Sequence, residues 1–160
     1  MISTLLRTSA ARRSAALLLA ASALTLTGCS ATNPVATNQE YAASDGVDAR
    51  LGELEFGNLL VLTAEQDAPG TVLGSVTNRS DRSMTVQIGL AGDETSMRLS
   101  AGETLLLSPE DAAVDLAAVP AAPGALVELV LGSDTEGTTS LQAPVLDGTL
   151  TQYAPLVPKA

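Results

Sequence analysis

The residue types that usually carry enzyme chemistry are scarce in this 160-residue chain. It contains no His, a single Cys (Cys29) and a single Lys (Lys159, the penultimate residue). The Ser-His and Cys-His pairs that activate nucleophiles therefore cannot form, and the position of Lys159 disfavours a Ser-Lys pair. The sequence also has no glycine-rich phosphate loop and no His-Glu-x-x-His motif. These absences predict that the protein is not an enzyme, and we assign no catalytic residue.

Carboxylates are the remaining candidates, because paired acids can act as general acid and base. Asp93-Glu94 and Glu110-Asp111 stand in a predicted turn and at a predicted helix start, where solvation and capping explain them. Asp45-Gly46-Val47-Asp48 and Asp134-Thr135-Glu136-Gly137 are acidic loops of the general kind that holds calcium. Neither matches a twelve-residue calcium loop, and Asp and Gly favour turns for backbone reasons. Calcium stays an open alternative, and we predict no cofactor and no assigned metal site.

The surroundings of Cys29 specify a reaction more clearly. The first thirteen residues carry three arginines and no acid, and an uncharged, largely apolar run follows from Ser14 to Thr27. A basic segment, a short apolar segment and small residues at a cleavage point are the marks of a signal peptide. The apolar run is shorter than the ~20 residues that a membrane-spanning helix needs. The sequence therefore predicts a signal peptide over residues 1–28.

The last residues of that segment, Leu26-Thr27-Gly28-Cys29, resemble a bacterial lipobox. In such signals the Cys thiol receives a diacylglyceryl group and a peptidase then cuts before the Cys. As the only Cys in the chain, Cys29 has no intramolecular disulfide partner, which agrees with a modified thiol. Two acyl chains anchor a protein stably, whereas one does not. We predict lipidation of Cys29, peptidase recognition of Leu26, Thr27 and Gly28, and anchoring on the extracytoplasmic face of the cell membrane.

The mature chain that would remain is strongly acidic. After Cys29 there are eighteen acidic and five basic residues, which gives a formal charge of −13. A surface of this charge repels nucleic acid and keeps a protein soluble. The three aromatic residues of the mature chain also offer little for bases to stack on. We therefore predict no nucleic-acid partner.

The pattern after residue 44 is that of an all-β domain. Residues 29–44 are mostly small and polar, which indicates a flexible tether. Met84–Leu90 alternates apolar and polar residues and predicts a strand with one buried face. Similar short runs, separated by turn residues, occur at 56–63, 71–77, 96–99, 104–107, 125–131 and 138–143. This spacing predicts an immunoglobulin-like antiparallel β-sandwich over residues 45–143.

Two segments depart from the strand pattern. Residues 109–119 are rich in Ala, begin with acids and end before Pro120, which predicts one helical turn. Residues 144–160 contain three prolines and predict an extended tail over the surface.

Several motifs resemble a group of small actinobacterial cell-envelope lipoproteins. They are the lipobox, Tyr41-Ala42-Ala43-Ser44-Asp45-Gly46-Val47, Val76-Thr77-Asn78-Arg79-Ser80-Asp81, and Asp147-Gly148-Thr149-Leu150-Thr151-Gln152-Tyr153-Ala154-Pro155-Leu156. The resemblance spans nearly the whole mature chain. Most members of the group have no assigned activity, so it implies a fold and a location more than a task.

The wider superfamily is similar to periplasmic copper chaperones, which bind Cu(I) through spaced His and Met residues. This chain has no His, and its mature part has only Met84 and Met97. Met84 is in phase with Val86 and Ile88, which predicts a core position, and two thioethers are too few for a tight soft-metal site. No copper ligand is therefore carried over.

Two functions follow from the sequence. The first is a binding or structural interaction module of the cell envelope, held at the membrane through Cys29 and recognising an envelope protein. The alternative is a metal or small-ligand carrier at the membrane surface, either copper-chaperone-like or calcium-binding.

Overall fold

The structure is a computed structural model that describes residues 44–159. The predicted signal peptide, the lipobox with Cys29 and the tether up to residue 43 lie outside the described residues. Within them the chain forms nine strands and no helix. Residues 44–159 include no helix that is long and apolar enough to span a membrane. The strands are β1 (Val47–Leu51), β2 (Leu54–Thr63), β3 (Gly70–Asn78), β4 (Met84–Leu90), β5 (Asp93–Leu99), β6 (Thr104–Leu107), β7 (Asp115–Leu116), β8 (Leu126–Ser133) and β9 (Gly137–Leu146).

The strands form two packed layers that β9 joins at one edge. One layer holds β5, β4, β8 and β9, and the other holds β1, β2, β3, β6 and β7. Residues 137–144 of β9 pair antiparallel with β8. Val145 and Leu146 then continue beside β2 in the one parallel pairing of the described strands. The predicted all-β sandwich class is confirmed, with this crossing strand as an addition.

The strand directions define two ends of the sandwich. Connections 52–53, 79–83, 100–103 and 134–136 lie together at what we name the arginine end. Connections 64–69, 91–92 and 108–125 lie together at the opposite end, named the groove end. Each end gathers loops that are distant in sequence, as antiparallel pairing requires.

A bulge in β2 shifts which alternate residues of the strand face the main core. The register with β3 shifts between Gly57 and Leu60, and Asn58 has a positive φ of 53°. Phe56 faces the main core before the bulge and Leu59 faces it afterwards, while Leu60 faces a second cluster on the other side of the strand. Gly74 lies opposite with φ 141°, and a Cβ there would stand 2.7 Å from the Gly57 carbonyl oxygen. The bulge therefore requires glycine at position 74.

The main core fills the space between the layers. Its fully buried members come from β2, β3, β4, β5, β8 and β9 and from the 108–125 connection, with Val86, Ile88, Leu129 and Leu131 at 0% exposure. Met84 is 1% exposed, so its predicted core position is confirmed. Met97 is partly buried and packs against the same core.

The helical turn predicted over 109–119 is wrong. Residues 115–116 form β7, which pairs with the start of β3. Val114 and Leu116 are buried while Asp115 between them is exposed, so these three residues alternate as a strand does. A stretch this short has little helical stability of its own, and the apolar partners available in the core override its Ala content.

The tail also differs from the prediction of an extended run. Residues 144–146 still belong to β9, and residues 149–156 form consecutive turns. Tyr153, Leu156 and Val157 pack over Leu60, Leu62 and Leu73 on the outer face of the β2–β3 layer. The tail therefore closes a second small core, because β2 and β3 carry apolar residues on both faces.

Candidate functional site

A concave groove lies at the groove end. It has a volume of about 660 Å³, within the range of ligand pockets. Its lining is mostly apolar, with Val127 buried at its base and Leu90 half-buried beside it. The remaining apolar lining residues are Ala91, Ala117, Ala118 and Pro120.

Carboxylates stand around this apolar lining. Asp67, Asp93 and Glu128 all line the groove and are exposed. Asp93 Oδ2 accepts a hydrogen bond of 2.8 Å from the Ala117 backbone N–H. Within residues 44–159, the Asp67 and Glu128 side chains have no hydrogen bond or ion pair. They therefore retain their acceptor capacity for a ligand.

Backbone hydrogen bonds hold the walls of the groove in place. The Asp67 N–H donates to the Val119 carbonyl at 2.7 Å, and the Val119 N–H donates to the Ala68 carbonyl at 2.9 Å. Gln66 Nε2 donates to the Pro120 carbonyl at 3.1 Å. Together with the Asp93–Ala117 bond, these contacts attach the 117–120 segment to the loops on both sides. The groove is preformed, so a ligand would need to order little of the protein.

The charge around the groove has one sign. Segments 64–69, 91–94 and 108–128 contain no Lys or Arg and eight acidic residues. These are Glu65, Asp67, Asp93, Glu94, Glu110, Asp111, Asp115 and Glu128. A concentration of like charge around a low-dielectric surface attracts cations and raises their association rates.

The arginine end is different because arginines accompany its acidic residues. Glu55 accepts from Arg79 Nε at 2.6 Å and also pairs with Arg50. The hydrogen bond from Arg79, aided by the charges of Arg79 and Arg50, lowers the pKa of Glu55. Arg82 lies 3.8 Å from Glu136 across the same end. Glu53 and Asp81 have no ion pair in the described residues, but the arginines make the net negative charge of this end smaller than that of the groove end.

Asn78 forms a buried polar network at the arginine end. It is 0% exposed, and its Nδ2 donates to the Arg82 carbonyl at 2.7 Å and the Ser100 carbonyl at 2.9 Å. Its Oδ1 accepts from the Ser80 N–H and hydroxyl at 3.0 and 2.6 Å. One side chain thus fixes the β3–β4 and β5–β6 connections.

The acidic loops weighed as calcium sites serve the fold. Asp45 accepts from the Tyr153 hydroxyl at 2.8 Å, and Asp48 accepts from the Asn58 N–H at 2.8 Å. Asp134 accepts from the Thr85 N–H at 3.1 Å. Nowhere in residues 44–159 do three or more His, Cys, Asp or Glu side chains cluster as a metal site requires. These loops are therefore explained by turn and strand-end contacts.

Two motifs singled out in the sequence meet through the Tyr153–Asp45 bond. Tyr153 belongs to the tail motif and Asp45 to the motif at the start of the domain. Burial raises the pKa of the Tyr153 phenol, and the hydrogen bond to Asp45 and its charge raise it further. The bond fastens the tail to the point where the chain enters the domain.

Sequence reasoning did not find the groove. It treated Asp93-Glu94 as turn solvation and residues 109–119 as a helical turn, whereas the fold brings Asp93 and Ala117 into contact across 24 residues. The available signal was compositional, since basic residues are missing from 108–128. Cys29 and Leu26–Gly28 fall outside the described residues, so their predicted roles stay predictions.

Comparison with known proteins finds similarity in fold. No protein-family model matches the chain, and no curated protein matches it. Among solved structures, the copper-bound PCuAC domain from PmoF2 aligns with a TM-score of 0.52 and 17% identity, covering 63% of this chain and 98% of that domain. The apo PCuAC domain from PmoF1 aligns with a TM-score of 0.53 and 14% identity, covering 62% and 98%. The apo PmoF2 domain gives 0.53 and 15%, covering 65% and 98%. The described domain therefore has the fold of PCuAC domains, at an identity that establishes fold alone.

Proposed function

We propose that the chain is a lipid-anchored, extracytoplasmic interaction module of the cell envelope that binds another envelope protein. The lipobox supports the anchor and the membrane location. The observation that carries the binding role is the preformed apolar groove whose rim carboxylates Asp67 and Glu128 have no partner in the described domain. A surface needed only for solubility has no reason to combine an ordered apolar groove with unpaired charge of one sign.

The anchor is tested by mass spectrometry of the N-terminal peptide of the mature protein. The proposal expects that peptide to begin at Cys29 with a diacylglyceryl group, and a Cys29→Ser form to keep its signal peptide or to be released without lipid. A mature protein that begins elsewhere, or carries an unmodified Cys29, would contradict the anchor.

The interaction role is tested by crosslinking in intact envelope followed by affinity capture. The lipidated protein is compared with the Cys29→Ser form at matched abundance. The proposal expects one envelope protein to be enriched with the lipidated form and reduced with the unlipidated one, because the lipid raises the local concentration of the module at the membrane. Enrichment of background proteins alone with both forms would end the proposal.

A metal carrier is the second candidate, and the fold it shares with a copper-bound domain favours it. Met84 and Met97 face the same core from neighbouring strands: Met84 is opposite Leu99, and Met97 is opposite Val86. Met84 is buried and its sulfur accepts from the Ser80 hydroxyl at 3.4 Å. The pair therefore supplies two thioethers, at most, where soft-metal sites use several soft ligands.

The two candidates separate in a Cu(I) competition experiment with a chromophoric chelator, alongside a calcium titration. The interaction proposal expects no metal uptake at micromolar protein. Uptake of one Cu(I) per chain that Met97→Leu abolishes, while an exposed substitution such as Thr104→Ser leaves it unchanged, would favour the carrier.

A further inference from the structure

The groove has the chemistry of a receptor for a basic peptide segment, and this inference rests on the interaction function proposed above. Its rim carries Asp67, Asp93 and Glu128, and the sequence segments that build it contain no Lys or Arg. A ligand that complements the negative electrostatic potential of these residues must be positively charged. Neutral or anionic groups would meet only acceptors and like charge.

The base of the groove adds a second requirement. Val127 and Leu90 present apolar surface there, flanked by Ala117, Ala118 and Pro120. An inorganic cation or a polyamine would leave this apolar surface exposed to water. A peptide that places an apolar side chain between basic ones would bury it and place its cations at the rim.

The fixed shape of the groove favours a specific ligand. The 117–120 wall is bonded to the 64–69 loop through Asp67 and Val119, and to β5 through Asp93. Because these bonds exist without a ligand, binding does not require the walls to form. The rim charge would speed the encounter, and the apolar base would set the register of the bound segment.

We propose that this groove binds an extended segment of a partner protein in which Lys or Arg residues flank one or two apolar side chains. Asp67 and Glu128 form ion pairs with the Lys or Arg side chains, and the apolar side chain packs against Val127. Asp93 supports the 117–120 wall and adds to the field.

A synthetic peptide tests the proposal directly. The probe is a labelled Ser-Gly-Lys-Val-Arg-Leu-Lys-Gly-Ser peptide, titrated by fluorescence anisotropy into the complete mature chain carrying Cys29→Ser, which removes the acyl chains and retains every described residue. We expect saturable binding with one peptide per chain, weakened by added salt because exposed charges are screened. A peptide with Glu in place of Lys and Arg should not bind. A peptide with Ser in place of Val and Leu should bind at least about tenfold more weakly, since it lacks the buried methylenes.

Matched variants place the binding on the groove. Asp67→Asn/Glu128→Gln removes two rim charges and should weaken binding by about tenfold, as expected for two exposed ion pairs. Glu53→Gln/Asp81→Asn makes the same two types of change at the arginine end and should weaken it less than about twofold. Asn at position 67 tolerates the φ of 60° found there, so the fold is retained. Ala118→Trp fills the groove without changing charge and should abolish binding.

Three results would overturn the proposal: no binding of the probe, equal weakening by the two charge variants, or equal binding of the Val/Leu-to-Ser peptide. Each means that the groove is not a site for a basic apolar segment. The interaction function would survive if the lipidated protein still captured its envelope partner by another face. Conversely, peptide binding at the groove without any captured partner would retain the site and reject the envelope module.

Discussion

The two ends of the sandwich use charge in opposite ways. At the arginine end, Glu55 holds two arginines and the buried Asn78 joins two connections. At the groove end, eight acidic residues occur without a basic one in the segments that form it. Loops at both ends are ordered by hydrogen bonds, so the ends differ in whether basic residues accompany the acidic ones rather than in order.

This difference separates stability from function. Paired charges and a satisfied buried amide are what a stable connection requires. Unpaired like charges around an apolar groove destabilise the free protein slightly through mutual repulsion. The contacts at the arginine end serve folding, whereas at the groove end we propose that a ligand supplies the positive charge.

The largest expected effect is at Asn78. Asn78→Ala leaves the Arg82 and Ser100 carbonyls without their donor in a buried site, and should lower the free energy of unfolding by about 2–3 kcal/mol. Chemical denaturation measures it, with Gln142→Ala, which removes an exposed amide, as a control that should change stability little. A loss below about 0.5 kcal/mol would mean that the network does not fix the arginine end.

A smaller effect is expected from Asp93, which connects the two walls of the groove. Asp93→Ala removes the acceptor for the Ala117 N–H and should lower the free energy of unfolding by about 1 kcal/mol. Hydrogen exchange at the Ala117 amide should quicken at the same time. Asp93→Asn keeps an acceptor and should preserve most of the protection. Equal exchange in the two variants would show that the walls are held by other contacts.

Tyr153 adds a third region to the comparison, because its bond to Asp45 fastens the tail to the start of the domain. Tyr153→Phe should lower the free energy of unfolding by about 0.5–1 kcal/mol. Because the folded pKa of Tyr153 is raised, the stability it contributes is complete below its ordinary pKa of about 10 and is lost as pH rises through the folded value.

The titration of Tyr153 is measurable by tyrosinate absorbance in a Tyr41→Phe background, where Tyr153 is the only tyrosine. The midpoint should lie above that of free tyrosine and fall in Asp45→Asn. A midpoint at or below the free value would contradict both the burial and the hydrogen bond.

The smallest expected effect is at Glu55, whose pairs with Arg50 and Arg79 are exposed. Glu55→Gln should change stability less than any substitution above, since salt and water screen such pairs. The lowered pKa of Glu55 means that its contribution is present above its ordinary pKa and disappears as pH falls through the lower folded value. Denaturation at neutral pH and in acid tests it. A large loss of stability at neutral pH that disappears at high salt would contradict this, because it would mean that the ion pairs contribute strongly to the stability of the arginine end.

The sequence predicts the sandwich well because strand periodicity is a local signal. The strand at 84–90 has the predicted bounds, and 104–107 also matches. The short strand β1 and the two-residue β7 were missed, since neither has enough alternating residues to stand out. The bulge at Asn58 was not predicted either. It depends on how β2 packs between the two cores and not on the residue pattern within the strand.

The groove could not be predicted because it depends on contacts between distant loops. Asp93 and Ala117 are 24 residues apart, and Gln66 and Pro120 are 54 apart. Periodicity and turn chemistry describe each loop alone. Only the pairing of β4 with β8, and of β7 with β3, brings them to one end.

The most direct test of the account compares two exposed alanines at opposite ends, Ala118 in the groove and Ala101 at the arginine end. Each is replaced in turn by a photocrosslinking amino acid in the full-length, lipidated protein, and intact envelope is irradiated. The account predicts a crosslink to one envelope protein from position 118, lost at high salt and in the Asp67→Asn/Glu128→Gln background, and no such crosslink from position 101. Equal crosslinking from both positions, or a partner reached from position 101 alone, would contradict it.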